Sequence, residues 1–322
     1  MLDLSTLFLY FFILVISPFI LLYIYLRVTT RAQPNIQRHD LEKSFIDPLS
    51  GNRIPFPSIN DPPSLHLSII VPSYMEEQRL PIMLDESMEY LITRAKQEPD
   101  YTYEIIVVDD GSTDRTTEVA LGYSSRYGSD KIRVLTLKQN RGKGGAVRLG
   151  TLSARGCIIL FADADAATDI RDLDRVEEKL RGITKDGLGM AIGSRSHLLE
   201  DAVATRSFVR NFLMYVFHFC VFILCVKKIK DTQCGFKLFT RKAAARIFPC
   251  IHVERWAFDV EVLYIAQQLQ IPIEEVAVNW KEVDGSKIVP VFSWLQMARD
   301  IFFIRIRYTF SLWNYNLSSK RD

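Results

Sequence analysis

Two carboxylates separated by one small residue, Asp163-Ala164-Asp165, follow directly on the apolar run 157–162. An uninterrupted apolar run of that length fits a strand buried on both faces of a parallel sheet. Ligands of open α/β sheets bind beyond the carboxyl ends of the strands. At such an end a carboxylate pair suits a hard divalent cation, Mg2+ or Mn2+, which takes oxygen ligands and shares its shell with substrate phosphates. Ala164 leaves room beside the cation. Aspartate also opens helices as an N-cap, and the Asp-x-Asp pattern alone does not choose between these two readings.

The flanking sequence supplies elements to position this pair. Residues 67–72, 103–108, 131–137 and 188–192 read as further buried strands. Residues 80–96 have helical spacing, a second helix capped by Ser112 or Thr113 runs to about Tyr127, and a third covers 142–154. Strands alternating with helices predict a parallel sheet with crossover helices. The other strand ends are also polar: Val71-Pro-Ser-Tyr74-Met-Glu76-Glu77, Asp109-Asp110-Gly111-Ser112 and Asn140-Arg-Gly-Lys143-Gly-Gly145. A nucleotide needs such groups: a flat apolar edge for the base, carboxylates for base N–H and ribose hydroxyls, and cations for the diphosphate. Gly142-Lys-Gly144 lacks the third glycine of a dinucleotide fingerprint, and Lys143 lacks the spacing of a P-loop. Each cluster alone could be a turn; at successive strand ends they form one pattern.

Composition narrows the class. The chain has 322 residues, 48% of them hydrophobic, enough for one large core with additional elements. A net charge of +2 gives no case for nucleic-acid binding. Five cysteines without a C-x-x-C pair read as buried thiols, not a disulfide framework or zinc site. Residues 4–26 carry no charge and are long enough to span a bilayer. A cleaved signal would have a shorter core and a small-residue cleavage site, whereas Arg27-Val-Thr-Thr-Arg31 follows here. We therefore read 1–31 as an uncleaved anchor, bent near Pro18. Arg27, Arg31, Arg38 and Lys43 follow the span and only Asp3 precedes it, which predicts a cytosolic remainder. Residues 32–64, rich in proline, read as a linker, and 65–290 as the catalytic domain. Residues 207–226 fit either an interfacial or a core helix. Residues 291–322 mix Trp294, Phe302, Phe303, Phe310 and Trp313 with Arg299, Arg305 and Arg307, which predicts amphipathic helices on a membrane surface.

Four motifs, Ile69-Ile-Val-Pro-Ser-Tyr-Met-Glu-Glu77, Val107-Val-Asp-Asp-Gly-Ser-Thr-Asp114, Asn140-Arg-Gly-Lys-Gly144 and Asp163-Ala-Asp165, resemble the GT-A inverting glycosyltransferases of the family-2 type. Later pieces are similar to a narrower group, the eukaryotic dolichyl-phosphate β-glucosyltransferases: Asp231-Thr-Gln-Cys-Gly-Phe-Lys-Leu-Phe239, Arg255-Trp-Ala-Phe-Asp259-Val-Glu261, Gly285-Ser-Lys287 and Ser293-Trp-Leu-Gln-Met297. The resemblance implies an α/β GT-A nucleotide-sugar-binding fold with a mostly parallel central sheet. It implies UDP-glucose as donor, dolichyl phosphate as acceptor, Mg2+ or Mn2+ as cofactor, and a single-pass place in the endoplasmic reticulum membrane, serving protein N-glycosylation.

Carried over by motif, Pro72, Tyr74 and Glu76 hold the uridine with Asp109 and Asp110, and Lys143 approaches the nucleotide. Asp163 and Asp165 bind ribose and metal. Arg195, in Gly193-Ser-Arg195, meets the acceptor phosphate with Arg206 and Arg210 beside it. Asp259 occupies the place of the superfamily's base. A phosphate monoester, with a second pKa of about 6, is mostly dianionic at neutral pH and does not obviously need a base. Asp259 is thus a base, an orienting group, or simply a helix N-terminal carboxylate. Rival readings are a dolichyl-phosphate mannose synthase using GDP-mannose, a processive polysaccharide synthase, and a non-catalytic membrane-anchored scaffold. The processive pattern has glutamine where this chain has His252, and both aspartates of the pair are present, against the scaffold. Oligomeric state is not legible.

Overall fold

The computed structural model describes residues 3–32, 34, 36–198, 221–283, 285 and 292–315. The amino-terminal stretch forms α1 (Leu4–Phe11), a π-helical turn Phe12–Ile16 and α2 (Ser17–Thr29). Together they make one helix long and apolar enough to cross a membrane. The widened turn lies just before Pro18. Proline has no N–H for the carbonyl four residues back, so the ladder loosens there. The Ser17 hydroxyl donates into the opened turn, to the Ile13 carbonyl at 2.5 Å.

After a short antiparallel hairpin, β1 (Ser44–Ile46) and β2 (Arg53–Pro55), the chain builds a seven-stranded sheet. Its strands are β3 (Leu65–Ser73), β4 (Tyr103–Asp109), β5 (Ile132–Thr136), β6 (Gly156–Ala162), β7 (Met190–Ser194), β8 (Phe236–Thr240) and β9 (Ile273–Ala277). Their spatial order is β5-β4-β3-β6-β8-β7-β9. Neighbours from β5 to β6 are parallel, as are β7 and β9, while β8 runs antiparallel to both β6 and β7. The sheet is therefore mostly parallel, as the resemblance implied. The antiparallel β8 was not legible, because its short apolar run is interrupted by Lys237.

Strand side chains alternate between two cores. Ile70, Val108 and Phe161 point into one with α5 (Lys143–Thr151), α7 (Arg241–Ile247), α8 (Phe258–Gln268) and α9 (Phe292–Thr309). Ile69, Val107 and Leu160 point into the other with α3 (Leu80–Gln97), α4 (Thr116–Tyr127) and α6 (Leu173–Ile183).

Of the stretch read as a linker, 32–64, residues 36–64 lie folded on this domain. Phe45 and Ile59 are buried in it. The Phe45 and Phe56 rings flank the Arg133 guanidinium at 5.4 and 5.3 Å. Its prolines restrict φ and so lower the entropy lost on docking. The carboxyl-terminal α9 is two-sided. Met297, Ile301, Ile304 and Tyr308 are buried in the core, while Leu295, Phe302 and Phe310 are exposed on the outside. Tyr23 of the anchor meets Phe310 edge-on at 5.6 Å. Of the cysteines expected as buried thiols, Cys225, Cys234 and Cys250 are buried and free, but Cys157 is exposed, at the amino-terminal end of β6. Arg206, Arg210 and most of the 207–226 stretch lie outside the described residues.

Glu104, at the amino-terminal end of β4, is fully buried. It accepts from Ser68 Oγ at 2.6 Å, from the Arg155 amide and Nε at 2.8 Å each, and from the buried Arg133. Removing one member of a buried ion pair strands the other charge, which costs about 3–5 kcal/mol. Glu104→Ala should lose stability on that scale, loosening the docked 32–64 segment through Arg133. Denaturant unfolding of the detergent-solubilised chain reads this, and an unchanged midpoint would refute it.

Candidate active site

The carboxyl ends of β3, β4 and β6 converge on one edge of the sheet, and each carries part of the predicted site. At the end of β4 the two aspartates brace loops. Asp109 accepts from the Ser112 amide at 3.0 Å and from the Thr117 hydroxyl. Asp110 accepts from the Arg141 and Gly142 amides at 2.7 and 2.8 Å. Burial raises Asp110 to about 6, against the pull of those amides. Ser112 does not cap α4 as predicted; its hydroxyl accepts from the Met75 amide at 2.9 Å and ties the β3 and β4 ends together. Pro72 ends the same region of β3, Tyr74 beyond it is exposed, and Glu76 is buried against Arg79, which donates from Nε at 2.7 Å and Nη2 at 2.5 Å.

The Asn140–Gly142 loop launches α5 and with it Lys143. Gly142 has φ +84°, and a side chain there would strike the Glu254 carbonyl at 2.6 Å. That carbonyl accepts from the Gly145 amide at 3.0 Å. The loop leading to α8 and Asp259 is thereby clamped to the loop that delivers Lys143.

At the end of β6, Asp163 takes the Lys143 ammonium at 2.6 Å. Its own amide donates to the Gly235 carbonyl. Asp165 accepts from the Ala167 amide at 3.0 Å, closing a local turn; α6 begins eight residues further on, capped by neither aspartate. The N-cap reading of the pair therefore fails. Burial raises the Asp165 carboxyl and Asp163 pushes it further, opposed by the Ala167 amide, Lys143 and Arg79. Burial would lower Lys143, but Asp163, Asp259 and Asp165 carry it upward.

These features fit a hard divalent cation. Two carboxylates crowd together, one raised by burial and by the other, and the Lys143 ammonium and the Arg79 guanidinium answer them. Among the described residues no third acidic, histidine or cysteine side chain completes a metal cage. That suits a metal held by one or two carboxylates, with water and substrate phosphate filling the rest.

Further along the sheet edge, Arg195 just past β7 is locked on Asp231. Nε and Nη2 donate at 2.7 and 2.9 Å, the Arg195 amide donates at 2.9 Å, and the guanidinium lies over Trp280 at 5.4 Å. Asp231 keeps Arg195 charged despite its burial. Asp259, in the first turn of α8, is buried and paired with Lys237 of β8. Asp163 is felt electrostatically by both Arg195 and Asp259, so the predicted groups share one region. Arg79, Asp231, Gly235 and Lys237 were not predicted as site residues. For Lys237 there was a signal: a lysine inside the apolar run Phe236–Phe239.

Comparison with known proteins agrees with this architecture. The model of "Glycosyl transferase family 2" matches residues 68–248. A Drosophila melanogaster protein named dolichyl-phosphate beta-glucosyltransferase is 55% identical over 91% of this chain and 90% of its own length. The human protein of that name is 53% identical, covering 91% of each, and that of Saccharomyces cerevisiae 39%, covering 94% and 93%. The chain belongs to glycosyl transferase family 2, among its dolichyl-phosphate beta-glucosyltransferases. A structural neighbour supports the fold of this family. Glucosyl-3-phosphoglycerate synthase from Mycobacterium tuberculosis, crystallised with Mn2+, UDP-glucose and phosphoglyceric acid, superposes with a TM-score of 0.51 at 16% identity over 77% of this chain and 80% of that one.

Gly235 is where this family member's site is least tolerant. A Cβ there would lie 2.0 Å from Asp163 Oδ2 and 2.3 Å from its Cγ. Gly235→Ala should displace Asp163, weakening nucleotide-sugar binding in the presence of a divalent cation by about tenfold or more while the chain stays folded. Calorimetry with and without Mg2+ checks this; normal metal-dependent binding would refute it.

Proposed function

We propose that this glycosyltransferase moves glucose from UDP-glucose to dolichyl phosphate with inversion, giving dolichyl β-D-glucosyl phosphate and UDP. The observation that carries the reaction class is the charge arrangement at the sheet edge: Asp163 and Asp165 with Lys143 against them, and Arg195 beyond. The choice of substrates rests on the names of relatives more than half identical to this chain.

A phosphate oxygen of the acceptor attacks the anomeric carbon of glucose. The bond from that carbon to the UDP oxygen breaks, and its electron pair leaves with UDP. Asp163 and Asp165 would hold Mg2+ or Mn2+, which when bound supplies positive charge at the departing diphosphate. Lys143, now paired with Asp163, is the cation that can turn to the diphosphate once metal occupies the carboxylates. Pro72, Tyr74, Glu76, Asp109 and Asp110 shape the nucleoside end, the two aspartates by fixing its loops. Arg195 presents its remaining Nη1 edge to the acceptor phosphate, a fork suited to phosphate geometry. We assign Arg206 and Arg210 to the same phosphate from their place in the sequence. Asp259 orients the sugar or acceptor.

Steady-state kinetics with a donor panel tests the reading. UDP-glucose should support transfer to dolichyl phosphate far better than GDP-mannose. Arg195→Ala should raise the KM for dolichyl phosphate by about tenfold or more while UDP-glucose binding stays intact, and Arg195→Lys should recover only part, because a point charge replaces a fork. Preference for GDP-mannose, or loss of donor binding in Arg195→Ala, would overturn these assignments.

We also propose that the anchor holds the domain on the cytosolic face of the endoplasmic reticulum, with the outer face of α9 against the same membrane. Support comes from the arginines after the span and from the exposed Leu295, Phe302 and Phe310, the last of which meets Tyr23 of the anchor. Protease added to sealed microsomes should digest the domain. Phe302→Asp with Phe310→Asp should weaken use of dolichyl phosphate in vesicles by several-fold, leaving UDP-glucose binding unchanged. Full protection of the domain refutes the topology, and unchanged kinetics refutes the pose.

A further inference from the structure

Lys237 lies in the antiparallel strand β8, in the middle of the sheet, with no exposed surface. Lysine is almost never buried so completely unless paired. Its ammonium donates to Asp259 Oδ1 at 2.5 Å and to the Cys234 carbonyl at 2.6 Å, and lies 5.1 Å from the centre of the Phe161 ring. Asp259 is itself buried, and among the described residues its Oδ2 accepts no hydrogen bond. The lysine thus grips one carboxylate oxygen and leaves the other. The Cys234 carbonyl fixes where the ammonium can stand, so the grip has a set direction.

We propose that Lys237 is a positioning residue for Asp259, holding it as an aimed carboxylate with Oδ2 left to the substrate. The inference rests on the reading that Asp259 serves the transfer step. Three charged groups face Asp259: Lys237 from β8, Lys143 from the start of α5 and Asp163 from the end of β6. Burial pushes Asp259 toward its neutral form, Lys237 pulls it back most strongly, Lys143 less so, and Asp163 adds to the push. Lys143 and Asp163 are the groups that metal and diphosphate would engage, whereas Lys237, held inside β8, would remain with Asp259. No proton or bond moves in this role.

The test is the pH profile of kcat for the full-length enzyme in detergent with UDP-glucose and dolichyl phosphate. The acceptor's own second ionisation gives an acid limb near about 6 in every variant. Lys237→Met should add a limb at higher pH, displaced upward by about two units, with kcat at pH 7 down by about tenfold and mostly regained at pH 9. The KM values should stay within about twofold, and UDP-glucose binding by calorimetry should show an intact fold. Lys237→Arg, which keeps the charge, should hold the original limb. Should the methionine variant not accumulate, Lys237→Gln, which keeps a donor without charge, gives the same readout. A kcat unchanged, or lowered equally at all pH values, overturns the inference. Asp259→Asn separates the two levels. Full activity in that variant overturns the role of Asp259 and this inference together, whereas inactivity with an unmoved limb in the Lys237 variants overturns only the latter.

Discussion

Charge buried beside like charge is costly, and the catalytic edge of this sheet gathers Asp163, Asp165 and Asp259 in one region. The fold answers with Lys143 and Lys237, each delivered by a different element and each placed on one carboxylate. Lys143 stands at the start of a helix launched by a left-handed glycine. Lys237 stands inside a central strand. One lysine answers Asp163 of the carboxylate pair and the other answers Asp259, so the charge of this edge is balanced from two different elements.

The antiparallel strand β8 is what makes this balance possible. It brings Gly235 against Asp163 and Lys237 against Asp259 within three residues. A parallel strand in that place would enter from the other end and present its carboxyl end, not its start, to the site. The loop 251–257 does matching work on the other side of the edge, through the Glu254 carbonyl that receives Gly145 and the Glu254 carboxylate that receives Arg141 at 2.6 Å.

Much of this was legible in the chain. The buried strands 67–72, 103–108 and 157–162 and the Asp163-Ala-Asp165 terminus follow from apolar run length and the place where the runs stop. The polar motifs fell at strand ends as predicted, yet their hydrogen bonds were not readable: the Asp109 and Asp110 carboxylates brace neighbouring loops. Strand β8 escaped because Phe236–Thr240 carries a lysine, and a lysine argues for solvent until its partner, 22 residues away in Asp259, is known. Residues 32–64 read as a tether because polar residues and prolines outnumber the few aromatic side chains that dock it. Arg195 was expected as a cation for phosphate from its motif; its capture by Asp231 was not legible, because that depends on two loops meeting.

The contact between Tyr23 and Phe310 has a kinetic consequence. An anchor that ended in a loose tether would let the domain sample a hemisphere of solution and meet the acceptor only on occasional returns. With the last turns of the anchor packed on α9 and the following segment docked along the domain, that freedom is removed. On the proposed membrane pose, enzyme and lipid acceptor then search for each other by lateral diffusion within one plane. The quantity that sets the acceptor's supply is its surface density in the leaflet, and diluting the membranes in buffer would leave it unchanged.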